Sequence, residues 1–139
     1  MTTNREQGEK LLKEAEWIFE KDLRTAIEEN NANIAVRRAQ EVVELSLKGC
    51  LRILGIDYPK VHDAGFVFIK EAGKKLLLTE KTLKEIERTS RWLAEARSPS
   101  FYGERDFSSE DAKKAFQDAE FVLKEIKGAI GGYRKNDIR

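Results

Sequence analysis

One cysteine, one histidine and two prolines in 139 residues leave little material for several kinds of chemistry. A lone Cys50 excludes an intrachain disulfide and argues against a cysteine-rich zinc site. Its neighbours Leu47, Leu51, Ile53 and Leu54 mark it as a small buried hydrophobe. A lone His62 excludes the two Glu-x-x-His pairs of a di-iron bundle, and Glu41 and Glu44 lack that partner. No metal site is expected. The chain has no glycine-rich phosphate loop, no GxSxG, no HExxH and no CxxC, so no cofactor is expected either. The opening MTTNREQGEK lacks the apolar core of a signal peptide, and no apolar run is long enough to span a bilayer. A cytoplasmic protein with no membrane partner is the expectation. The net charge of +1 gives no bulk signature of nucleic-acid binding, although a local basic patch remains open.

What is present favours helix. Charged residues make up 37% of the chain and hydrophobic ones 40%, with Pro59 and Pro99 as the only prolines. The length suits one domain over 1–139, with a core over about 5–130. The first helix is predicted over Glu6–Glu29, with Leu11, Leu12, Ala15, Ile18, Phe19, Leu23 and Ala26 on one face at 100° per residue and Asp22 oddly in their midst. After the turn Asn30-Asn31-Ala32-Asn33, a second helix reaches about Leu54, with an apolar face broad enough for two neighbours. Gly55 follows it as a left-handed terminator. A short helix over about His62–Gly73 carries Phe66, Val67 and Ile69. Thr79 caps the next, which should end near Arg97 because Pro99 disfavours helix at Ser98. Ser98–Phe107 reads as an ordered loop. Ser108 and Asp111 form a capping-box start for the last helix, which Gly131-Gly132 should stop, leaving 133–139 as a fraying tail. The expected architecture is all-α, an antiparallel up-and-down bundle of four long helices and one short one.

Several polar and aromatic residues stand out against this pattern. Arg97 extends the apolar stripe of Leu83, Ile86, Ser90 and Leu93, so it either snorkels at a helix end or is held in a pocket or interface. The following loop would bring Tyr102 within reach, and an arginine beside a tyrosine hydroxyl suits a phosphate. A plain C-terminal arginine satisfying helix carbonyls is the competing reading. His62, beside Asp63, reads as a helix-start residue making capping contacts. Asp22 needs a cationic partner, for which Arg38 and Arg97 are the candidates. Trp92 and Phe121 are displaced from their own stripes, and Leu45 sits among charges. Together they suggest a dimer interface, although exposed apolar residues are ordinary singly.

The run Arg38-Ala39-Gln40-Glu41-Val42-Val43-Glu44-Leu45-Ser46-Leu47-Lys48-Gly49-Cys50-Leu51, with Gly55 and His62-Asp63 after it, resembles the second helix and following turn of HEPN domains. Ala96-Arg97 before Tyr102, then Ser109-Glu110-Asp111-Ala112 and the helix through Ala119-Glu120, extend the resemblance over roughly residues 5–130. It rests on order and spacing. The resemblance implies an antiparallel helical bundle, a homodimer, an RNase-toxin or RNA-processing setting, and a nucleotidyltransferase partner of the toxin–antitoxin type. Active members carry an arginine followed four to six residues later by a histidine, the arginine holding phosphate and the histidine transferring the proton without a metal. Arg97 fits the arginine, but Tyr102 stands where the histidine should be. A phenol with an ordinary pKa of about 10 is a poor general base at neutral pH. Three functions follow: a nucleotide- or RNA-binding module without a complete catalytic motif, a divergent RNase using Arg97 with Tyr102 or His62, or a partner subunit without a ligand.

Overall fold

The computed structural model describes residues 3–137, with side chains described through Tyr133, and every regular element among them is helical. Helix α1 (Asn4–Ile18) starts where the Thr3 hydroxyl accepts the Glu6 N–H. It continues through a π-helical turn, Phe19–Leu23, into α2 (Arg24–Glu28). The π turn carries one residue more than an α turn, so the face slips round at that point. Phe19 and Leu23 stay buried, while Asp22 moves out to the surface and lies 3.5 Å from Arg38 Nε. The carboxylate predicted in mid-face is therefore a surface ion pair with Arg38. Asn30, at φ +56°, makes the left-handed turn that asparagine tolerates, and the Asn31 side chain caps α3 (Ala32–Ile53). Gly55 follows at φ +73°, as expected.

Helix α3 is the axis of the bundle, and Ala35, Val36, Ala39, Val42, Leu47, Cys50 and Leu51 are fully enclosed. Helix α1 runs antiparallel to α3 at very close range: a Cβ added to Gly8 would lie 2.5 Å from the Gly49 carbonyl oxygen. Helices α5 (Glu80–Tyr102) and α6 (Ser109–Asp137) pack on the remaining faces of α3, and Phe19 of the π turn stacks on Phe116 of α6 at 4.9 Å. The result is the expected all-α, up-and-down bundle.

Four boundaries differ from expectation. The short helix is only α4 (Gly65–Val67) and a second π turn, Phe68–Ala72. Its anchor is Phe68, fully buried, while Phe66 is exposed. His62 precedes the helix and does not cap it. Helix α5 does not end at Arg97 but runs through Pro99 to Tyr102. A proline in the last turn forfeits one hydrogen bond without ending the helix. Termination comes from Gly103, at φ +67°, whose N–H and that of Glu104 both go to the Pro99 carbonyl. The predicted loop over 98–107 shrinks accordingly, and Asn33 pins what remains by bonding the Arg105 carbonyl and the Phe107 N–H, each at 2.9 Å. Gly131 and Gly132 do not stop α6, because neither adopts a left-handed conformation and a helical glycine costs only about 1 kcal/mol. The tail predicted to fray is helical to Asp137, and residues 138–139 lie outside the described residues.

The local signals hold. Thr79 caps α5, Ser108 and Asp111 bond each other's backbone N–H groups at 3.0 Å, and Cys50 is buried. Burial pushes the Cys50 thiol up to about 12, which removes it from thiolate chemistry at neutral pH.

Candidate functional site

The polar face of α3 presents Gln40, Glu44 and Lys48 one turn apart. On this spacing the three side chains stack along one edge of the helix, and here they bond in series. Gln40 Nε2 donates to Glu44 Oε1 at 2.7 Å, and Lys48 Nζ reaches Glu44 Oε2 at 2.7 Å. Gln40 is 1% exposed, so its amide needs partners on both ends. Its oxygen accepts Arg97 Nη1 at 2.6 Å.

Arg97 thus lies at the end of a buried polar chain. Its partner is a neutral amide, and no described carboxylate pairs with its guanidinium. By contrast Arg24, Arg38, Arg88, Arg91 and Arg105 all have carboxylate partners. Arg37 and Arg52 likewise have no described carboxylate partner, Arg52 bonding the neutral Gln7 amide and Arg37 lying on the Phe101 ring.

His62 arrives at the same place from the connection after α3. Its Nδ1 lies 2.9 Å from Glu44 Oε1, and its carbonyl accepts a longer bond from Gln40 Nε2 at 3.5 Å. Burial pushes the Glu44 carboxyl up, but hydrogen bonds from Lys48, Gln40 and His62 outweigh that and hold it below the ordinary carboxylate range. An ionised Glu44 therefore fixes the ring through Nδ1 and leaves Nε2 turned away from the carboxylate. Next along the chain, Asp63, just before the N-cap residue Ala64, makes the contact to the first turn of α4 that sequence assigned to its neighbour. Asp63 Oδ1 accepts the Gly65 N–H at 3.1 Å and the Ser90 hydroxyl at 2.6 Å. The segment carrying His62 is thereby tied to α5 as well as to α3.

His62, Ala94, Arg97, Ser98, Phe101 and Tyr102 line one open cavity of about 390 Å³. Arg97 and Tyr102, predicted to meet across a loop, share this cavity because both lie on the last turns of α5; no hydrogen bond joins them. Among the described residues no cluster of His, Cys, Asp and Glu is arranged to hold a metal ion, and no helix is long and apolar enough to cross a membrane.

The residues predicted at an interface have partners within the chain. Trp92 Nε1 donates to Asp118 Oδ2 at 2.9 Å, joining α5 to α6, and Phe121 and Leu45 are half-buried against the core. The large side chains that do stand out from the surface are Trp17, Val61, Phe66, Leu77, Phe101 and Tyr102. Sequence reasoning missed Gln40 and Glu44 as site residues. The signal was there, a Gln-x-x-x-Glu-x-x-x-Lys series on one helix edge, but nothing local tied it to Arg97, 57 residues from Gln40.

Comparison with curated proteins gives no match. Among solved structures the chain is similar to an archaeal HEPN homologue, at 23% identity, over 92% of this chain and 98% of that one, with a TM-score of 0.67. That likeness supports the fold. A model of the HEPN domain matches residues 5–129, from the first turns of α1 almost to the end of the described α6 side chains. The chain belongs to the HEPN domain family.

Proposed function

We propose that this domain binds a nucleotide or RNA through a phosphate held by Arg97, and that it works as a homodimer beside a nucleotidyltransferase subunit in a toxin–antitoxin setting. The observation that carries the ligand is the Arg97 guanidinium, held by the neutral Gln40 amide and lining a cavity with no carboxylate to neutralise it. A guanidinium with open donors is well matched to phosphate oxygens. The dimer and the nucleotidyltransferase rest on the family's habits. Binding of labelled ATP and of single-stranded RNA should weaken at least tenfold in Arg97→Ala, with the helical circular-dichroism signal unchanged. Equal binding by both proteins would refute the phosphate role. Absence of all binding would favour a partner subunit without a ligand. Sedimentation at micromolar concentration tests the dimer, and a monomeric wild type rejects it.

One observation favours metal-independent RNA cleavage as a second reading. The histidine missing from the interval after Arg97 is matched by His62, which lines the same cavity and is braced by Glu44. In that reaction His62 Nε2 would take the proton of a ribose 2′-hydroxyl, whose oxygen attacks the neighbouring phosphorus. The P–O5′ bond breaks, the leaving 5′-oxygen takes a proton from water and the His62 imidazolium returns its proton to solvent, giving a 2′,3′-cyclic phosphate and a 5′-hydroxyl, while Arg97 holds the phosphoryl oxygens. Tyr102, 71% exposed, serves this chemistry less well than a braced imidazole. A mixed RNA pool incubated without metal separates the readings. Cleavage that is lost in both His62→Ala and Arg97→Ala but kept in Tyr102→Phe supports the nuclease, and an intact pool leaves the binding module.

A further inference from the structure

Two large aromatic side chains rim the Arg97 cavity, and the phosphate reading leaves them unused. Phe101 is 58% exposed and Tyr102 71% exposed, on consecutive positions of the last turn of α5. Single exposed aromatics need no explanation. This pair differs in being built. The rings meet edge-to-face with centroids 5.0 Å apart, and the Arg37 guanidinium lies 5.1 Å from the Phe101 centroid. Gly103 then ends the helix, so the pair projects at its tip. Phe101 is thereby held between Arg37 and Tyr102, while Tyr102 keeps most of its surface in water.

Arg97 is the one formally charged side chain among the residues that line the cavity, and no carboxylate lines it. Arg37 and Arg97 have no described carboxylate partner, and the Arg37 Nε is buried without a hydrogen bond. Glu44, which reaches His62 at the cavity, has its oxygens already engaged by Gln40, Lys48 and His62. An apolar protein segment would leave this positive charge uncompensated. A ligand that combines a flat ring with an anionic backbone satisfies both features at once.

We infer that Phe101 and Tyr102 form a stacking platform for an unpaired base, so that the cavity selects single-stranded over duplex nucleic acid. The inference rests on the reading that Arg97 holds a nucleic-acid phosphate. A duplex hides the faces of its bases, so an aromatic platform offers it nothing, while every unpaired base has a face to stack. A cavity of about 390 Å³ also suits one nucleotide rather than a helical groove.

The test uses fluorescence anisotropy at fixed salt with three fluorescein-labelled 12-mers: a single-stranded RNA, its duplex, and an abasic ribose-phosphate backbone. The wild type should prefer the single strand to the duplex by about tenfold, roughly the weight of one stacked base. Tyr102→Ala and Phe101→Ala should each erase most of that preference and leave abasic binding unchanged, whereas Tyr102→Phe should retain it. Both side chains are exposed, so folding is not at stake. Duplex bound as tightly as single strand, or alanine variants indistinguishable from wild type, would overturn the platform. Alanine variants that lose self-association in sedimentation while binding RNA normally would do the same, by assigning the pair to an interface between copies. Arg97→Ala separates the two levels. If it binds all three probes like the wild type, the phosphate reading falls first. If it fails to bind while the aromatic variants behave normally, only the platform falls.

Discussion

Where α3 crosses α1, glycine faces glycine; where the same helix faces α5 and the connection that follows α3, it carries Gln40, Glu44 and Lys48. At the crossing, backbones approach so closely that a Cβ on Gly49 would come within 2.9 Å of the Gly8 carbonyl oxygen and 3.2 Å of Leu12 Cγ. Little titrates there. The other face spends buried space on amide and carboxylate groups, each of which is costly unless bonded. A bundle that needed only stability would fill both faces with aliphatic side chains. The polar face leads through Gln40 to Arg97 and its cavity, where the proposed function places the ligand.

The largest effect is expected at the crossing. Gly49→Leu puts a branched side chain against the α1 backbone about one turn before the end of α3, at a buried contact with Gly8 and Leu12. A loss of about 2–3 kcal/mol is expected after allowing for the better helix propensity of leucine. Chemical denaturation should show a lowered midpoint, while RNA affinity of the folded fraction is unchanged. A stabilised variant would mean that the helices are not in contact there. Loss of affinity with stability intact would erase the division between the two faces.

Glu44→Gln tests the other face with a smaller expected change. The Glu44 carboxyl is held below its unfolded value of 4.5, so its ionised form is favoured by folding. That contribution is fully present above pH 4.5 and is lost as pH falls through the lower, folded value. The stability difference between wild type and variant, about 1 kcal/mol at neutral pH, should shrink on acidification. A difference that is flat with pH would show that the ionised carboxylate adds nothing to the network.

The two faces were not equally legible in the sequence. Thr79, Gly55 and the Ser108–Asp111 box could be read because a cap satisfies its own neighbours within three residues. The fold class and the broad apolar face of α3 followed from periodicity. Arg97 announced itself by extending an apolar stripe. Its setting did not, because Gln40 is 57 residues away and His62 reaches Glu44 across 18. Two fixed rules, a 100° wheel and stop signals, account for the errors in α1, α5 and α6. The π turn at Phe19–Leu23 displaced Asp22 from its predicted place, and Pro99, Gly131 and Gly132 were each accommodated inside a helix.

Asp22 gives the smallest predicted effect and a direct measure of that slip. On an uninterrupted α-helix its carboxylate would sit among Phe19, Leu23 and Ala26, and converting it to asparagine would alter stability by several kcal/mol. With the π turn in place, its side chain is 44% exposed and 3.5 Å from Arg38, which also bonds Glu41 at 2.5 Å and so keeps a partner when Asp22 is neutralised. An exposed pair of this kind contributes at most about 0.5 kcal/mol, and added salt should reduce even that. Asp22→Asn should therefore unfold within error of the wild type. A change of roughly 2 kcal/mol or more, a gain if an unpaired buried carboxylate is being neutralised or a loss if a buried pair is being broken, would return Asp22 to the core and contradict the π turn in α1.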